Sequence, residues 1–127
     1  MEPVQGLDLV YHELAHVLAA TLQGATATIF DDDDGTWQVT YSLPPGVDCE
    51  IAAARVWAAG ALVPMRLSGQ DVAVIRAMPQ AMFEAAFRWC FETVLPQLMA
   101  VDKDEALAIA RAMAEHGRVE FKSRMLH

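Results

Sequence analysis

The chain has 127 residues, 54% of them hydrophobic, and a formal net charge of −8. That length suits one compact domain, 1–127, with a substantial core. The acidic balance argues against a nucleic-acid backbone or an anionic membrane as partner. No apolar run reaches the roughly 20 residues that cross a bilayer, and the apolar excess leaves surface for a partner, a second copy of the chain included.

The opening "MEPVQGLDLV" has neither the basic nor the apolar region of a signal peptide. Cys49 and Cys90 form no CxxC and no zinc-finger spacing. A reduced, cytosolic protein is expected. No Gly-rich phosphate loop is present, so nucleotide chemistry is not expected.

Residues 7–23, "LDLVYHELAHVLAATLQ", carry the helical period, and Gly24 is a natural stop. "ATATIF" and "TWQVTYSL" are β-branched and aromatic runs separated by "DDDDG", which predicts a hairpin. "PPG" at 44–46 punctuates the chain. A second, alanine-rich helix is expected from Asp48 to Val63, ended by Pro64. Asp71 to Met78 predicts a short helix with Ser68 or Gly69 at its start. Gln80 to Leu95 is apolar all round (Met82, Phe83, Phe87, Trp89, Phe91), which predicts a central core helix that Pro96 kinks or ends. The last helix begins at Asp102, where Asp102 and Glu105 have capping-box spacing, and runs to Gly117 or beyond. The fold class is therefore mainly α with one β-hairpin, an α+β chain. Trp57, Trp89 and the helix methionines are expected in the core, and both cysteines are expected to be inert thiols.

"YHELAH" carries the chemistry. Residues i and i+4 share a helix face, so His12 and His16 can offer two imidazoles to one metal ion. Glu13 lies about 100° round the wheel from His12, near such an ion but outside its ligand set, where a carboxylate can act as general base. Zinc lowers the pKa of its water towards 7, which is why H-E-x-x-H on a helix marks metallopeptidases. Val10, Leu14, Val17 and Leu18 fall on the opposite side, so the polar side is expected to face outward. Small Ala15, Ala19 and Ala20 leave room for a ligand from another segment.

A catalytic zinc needs a third protein ligand and an open position. No histidine follows six residues after His16, so that ligand is sought among the carboxylates. Asp31 to Asp34 suits a solvated hairpin tip. Asp48, Glu50 and Asp71 suit helix starts, where acids favour the dipole. Glu84 and Glu92 lie two turns apart on the apolar helix, where a buried acid would need a partner.

"YHELAHVLAATLQGA", a hairpin, "AAARVWAAGALV" and "SGQDVAVI" together resemble the peptidase domain of FtsH-type zinc metalloproteases, over residues 10–78. That family joins a H-E-x-G-H helix, a β-hairpin, a helix with a small-residue/Gly stretch, and a Ser/Thr-Gly segment whose Asp is the third ligand. The resemblance implies a zincin-like helix packed with a helical bundle, His12, His16 and Asp71 as zinc ligands, and Glu13 as general base. It further implies a peptide or unstructured protein segment as substrate, and a short, stand-alone relative without the AAA module or the membrane anchor. The chain departs from the family pattern at Ala15, where glycine is usual. After Gly60 it reads Ala61-Leu62-Val63-Pro64 in place of Ala-Glu, and Gly60 lies two residues closer to Asp71. The expected function is a zinc-dependent peptidase-like hydrolase. The alternative is a non-catalytic adaptor or inhibitor retaining the scaffold.

Overall fold

The structure, a computed structural model, describes residues 3–32 and 34–124, with side chains from Leu7 onward. Helix α1 (Pro3–Thr21) is its axis. Val10, Leu14, Val17 and Leu18 are buried as their period demands, and so are Ala15, Ala19 and Ala20. The polar side does not face outward: His12, Glu13 and His16 are buried too, because other elements cover that side. The helix stops one turn before Gly24, whose φ of 96° the left-handed region requires. There the Ala25 N–H reaches the Ala20 carbonyl and the Gly24 N–H that of Thr21, each at 3.1 Å, a Schellman cap.

The hairpin forms as expected from β1 (Thr26–Asp31) and β2 (Trp37–Ser42), in a register that sets Ile29 opposite Val39. Its acidic tip is a turn device. The Asp32 carboxylate accepts the N–H groups of Asp34 and Thr36, each at 2.9 Å. The Thr36 and Asp34 bonds and the Gln38 amide hold that carboxyl below its usual range. A third strand, β3 (Arg118–Phe121), corrects the single-hairpin expectation: it pairs antiparallel with β1, and the sheet order is β2-β1-β3. The last helix therefore ends at His116, with Gly117 at φ 71° turning the chain into that strand. Ala27 and Ile29, in the middle strand, bury the sheet's inner face against α1.

Helix α2 (Cys49–Ala59) opens at Asp48, whose carboxylate accepts the N–H groups of Glu50 and Ile51 at 3.0 Å. It does not continue to Val63. Tight turns at 60–62 and 64–66 replace its last turn, since Pro64 pushes Val63 out of the helical region to φ −125°, ψ 73°. Helix α3 (Gly69–Ala77) starts two residues before Asp71, with Ser68 as its cap.

Helices α4 (Gln80–Trp89) and α5 (Leu95–Met99) are joined by a π turn at Cys90–Val94, so Pro96 is accommodated by widening the helix. This rod is not the central core helix. Only Ala86, Cys90, Val94 and Leu98, spaced by four, are buried, while Phe91 is 56% exposed. Phe83 and Phe87 are half-buried and stacked on each other at 5.8 Å. An aromatic-rich helix cannot approach neighbours on all sides; the alanine-rich α1 can, and it takes the centre. Glu84 and Glu92 are exposed, which removes them as ligands. Trp89 is half-buried beneath the Arg55 guanidinium, 4.6 Å from its ring centre.

Helix α6 (Lys103–His116) packs Ala106, Ile109 and Met113 inward. At its start Asp102 accepts the Glu105 N–H at 2.8 Å, one half of the expected capping box. Buried Cys90 donates its S–H to the Arg55 carbonyl. Burial, opposed by the Arg55 charge, pushes its thiol up to about 12, as expected of an inert cysteine. No helix among the described residues is long and apolar enough to cross a membrane.

A Cβ on Gly117 would meet only the Asp31 Cβ, at 4.0 Å. Gly117→Ala should therefore cost about 1–2 kcal/mol through its left-handed backbone alone, read as a lower urea midpoint with an unchanged m-value.

Candidate metal centre

Two elements bring His12, His16 and Asp71 together. Helical spacing on α1 places the two imidazoles edge to face, their centres 4.9 Å apart at 88°. Asp71 arrives from α3 through its capping box: the Ser68 hydroxyl accepts the Asp71 N–H at 3.0 Å, and the Asp71 carboxylate accepts the Ser68 N–H at 2.9 Å. The helix-start role and the ligand position are thus compatible, because the box aims the carboxylate. Its Oδ2 lies 3.2 Å from His12 Nε2 and its Oδ1 3.6 Å from His16 Nε2. Of the acids considered as a third ligand, Asp71 is the one that clusters with the histidines among the described residues.

The other nitrogen of each ring fixes its tautomer. His16 Nδ1 lies 2.7 Å from the Val56 carbonyl and His12 Nδ1 lies 3.3 Å from the Val63 carbonyl. A carbonyl only accepts, so both Nδ1 atoms carry the proton and donate. Both Nε2 lone pairs then converge on a carboxylate. That arrangement is repulsive unless Nε2 is protonated or a cation lies between them.

The spacing suits a cation. A tetrahedral zinc with arms of about 2.0–2.1 Å holds its ligand atoms about 3.3 Å apart. His12 Nε2 lies 3.2 Å from one Asp71 oxygen and His16 Nε2 3.6 Å from the other, and one ligand atom from each residue lies within 4.8 Å of the others. Backbone carbonyls on the outer ring nitrogens are the support that metal-bound histidines usually have.

Gly60 makes the site possible. A Cβ there would stand 2.8 Å from His16 Cε1, 2.9 Å from His16 Nε2 and 3.1 Å from His12 Cε1. The end of α2 presses on both rings, so any side chain would displace them. Its sequence signals are a glycine after an alanine-rich run and the match of that run to the small-residue/Gly stretch of the family it resembles.

Glu13 lines the same cleft and, among the described residues, has no hydrogen-bond partner. Burial pushes its carboxyl up, opposed by His16 and His12 and aided by Asp71. Asp71 is pushed up by burial, but bonds from His12, His16 and Ser68 outweigh this and hold it far below the usual carboxylate range. For His16, burial lowers the value, and Asp71, the Val56 carbonyl and Glu13 more than restore it, so the net shift is upward.

The cleft has a volume of about 460 Å³ and runs from these residues along β2, past Trp37, Gln38, Val39 and Tyr41. Trp57, expected in the core, is instead half-buried on its wall, edge-on to His16. Tyr11 is not at the site: its hydroxyl donates to the Val101 carbonyl at 2.8 Å. His116 is exposed beside Glu115.

Two outcomes test this geometry. Gly60→Ala should weaken zinc binding at least tenfold in a chelator competition, with the helical circular-dichroism signal intact. The metal-free and zinc-loaded proteins should also differ in pH dependence. The His16 value is raised above 6.5, so its ion pair with Asp71 stabilises the metal-free protein fully below about pH 6.5 and is lost as pH rises through the raised value. Zinc needs unprotonated imidazoles. As pH rises from about 6.5 through the raised value, Tm should therefore fall without metal, and the gain on adding zinc should grow.

No protein-family model, no curated protein and no solved structure matches this chain.

Proposed function

We propose that this chain is a zinc-dependent peptidase acting on peptides or unstructured protein segments. His12, His16 and Asp71 would hold the ion, leaving a fourth position open to the cleft. The observation that carries the reading is the donor set: two tautomer-fixed Nε2 atoms and an oriented carboxylate within 4.8 Å of one another, beside a glutamate with no hydrogen-bond partner among the described residues. The resemblance of residues 10–78 to the FtsH-type peptidase domain points the same way.

A zinc ion bound there supplies a Lewis acid and a lowered water pKa. Glu13 does the proton work. Its carboxylate takes a proton from the attacking water and returns it to the amine that leaves. Burial raises its affinity for that proton, which suits a group that must both accept and donate. Asp71 and the two carbonyl-anchored histidines stay rigid meanwhile, so little reorganisation accompanies the reaction.

A peptide substrate is favoured by the sheet edge. The Asp32 N–H bonds to the Thr36 carbonyl, and the register continues from that pair through 30↔38 and 28↔40. In an antiparallel ladder bonded pairs alternate, so Trp37, Val39 and Tyr41 turn their backbone N–H and C=O away from β1. β2 is an edge strand beside the cleft, and an extended chain can pair with those groups.

A second reading rests on the same cluster. Without metal, the histidines pair with Asp71 as buried ion pairs, and the chain is an adaptor or inhibitor that keeps the scaffold. Zinc analysis separates the two. Wild type and Glu13→Gln should each hold about one zinc per chain and Asp71→Ala little. Glu13→Gln should lose roughly 100- to 10,000-fold in peptide cleavage. A wild type that takes up no zinc on reconstitution, or a Glu13→Gln variant that cleaves normally, would overturn the peptidase reading.

A further inference from the structure

Beside the imidazoles and carboxylates, the cleft is lined by apolar Trp37, Val39, Tyr41, Val56 and Trp57 and by polar groups that include Gln38 and Arg66. Trp37, Val39 and Tyr41 alternate along β2 and therefore share one face of the strand. It is the face on which Ile29, directly opposite Val39, is fully buried. β1 covers α1 with that face, while the same face of β2 looks into the cleft. Trp57 stands on another wall, from α2, with its ring centre 6.2 Å from that of His16 at 76°. Trp37, Tyr41 and Trp57 are all half-buried, and among the described residues no ring contact joins Trp57 to either of the others. Space for a side chain lies between them.

We propose that this space is a specificity subsite for a large, neutral, apolar side chain of the substrate, and that Trp57 sets the preference. The proposal rests on the peptidase reading and goes beyond it by assigning the substrate class. Trp57 is the aromatic wall residue whose ring reaches a metal-site histidine, so a side chain laid on it lies next to the reacting bond. An acidic side chain would meet the two carboxylates of Glu13 and Asp71, which outnumber the one guanidinium in the lining, that of Arg66. A lysine would surrender hydration against the indole faces. A phenylalanine or leucine loses only unfavourable contact with water.

The test uses the full-length Glu13→Gln protein, checked for zinc, so that peptide is bound but not cut. Blocked pentapeptides of alanine with Phe, Leu, Ala, Asp or Lys at the centre are titrated by calorimetry. Phe and Leu should bind roughly 10- to 100-fold more tightly than Ala, Asp or Lys. Adding Trp57→Ala should reduce the Phe/Ala ratio to within about threefold, with zinc content measured alongside. Trp57→Phe should keep most of the preference, and Trp57→Arg should turn it towards Asp, so the proposal stays testable if the alanine variant misfolds. Equal binding of Phe and Ala peptides, no binding of any, or a preference that survives both Trp57→Ala and Trp57→Arg would overturn it. A zinc enzyme that cleaves but ignores Phe against Ala would sink the subsite and leave the peptidase reading standing.

Discussion

The His16 Nδ1–H donates to the Val56 carbonyl at 2.7 Å, and that one bond ties the middle of α2 to the polar face of α1. It sets which ring nitrogen carries the proton and turns the other towards Asp71. It also brings Gly60, four residues further along, against both imidazoles. His12 repeats the arrangement more loosely with the Val63 carbonyl at 3.3 Å, a group displaced from helical geometry because Pro64 follows it. The chain's departure from regular helix after Ala59 is thus what supplies an acceptor to the second histidine.

Such a site is expensive to keep. Three ionisable groups with 2–6% exposure, and a fourth at 8%, sit against a core of alanine and valine. Burying unpaired charge costs several kcal/mol per group, and a paired cluster rarely recovers all of it. The surroundings limit that cost by leaving no fully buried side-chain N or O atom without a partner among the described residues. A cluster held this way, at the head of the cleft, departs from what stability alone would select. That is where functional sites are found.

How far the chain could be read before folding depended on how local each signal was. The H-E-x-x-H helix, the hairpin at "DDDDG" and the helix start at Ser68 or Gly69 are short-range signals, and each of these elements formed. β3 carried no such signal: "RVEF" is a short run after a helix, and it becomes a strand because β1 offers an open edge. The role of Gln80–Leu95 was misread for a different reason. Apolar composition reports that a helix must be covered, not on how many sides, and bulky Phe83, Phe87 and Phe91 stack along one another instead of entering the interior.

By itself the sequence determined the chemistry on offer: two imidazoles one turn apart, a glutamate beside them, and an aspartate at a helix start. These follow from backbone geometry within a few residues. Only the tertiary structure decided that Asp71, and not Glu84, Glu92 or the described tip acids Asp31, Asp32 and Asp34 (Asp33 lies outside the described residues), closes the cluster, since 59 residues separate it from His12 and no local rule spans that distance. It decided the tautomers too, because the two carbonyls that fix them lie 40 and 51 residues downstream of their histidines. And it moved Trp57 from the expected core to the cleft wall, where burial depends on which faces neighbouring elements happen to cover.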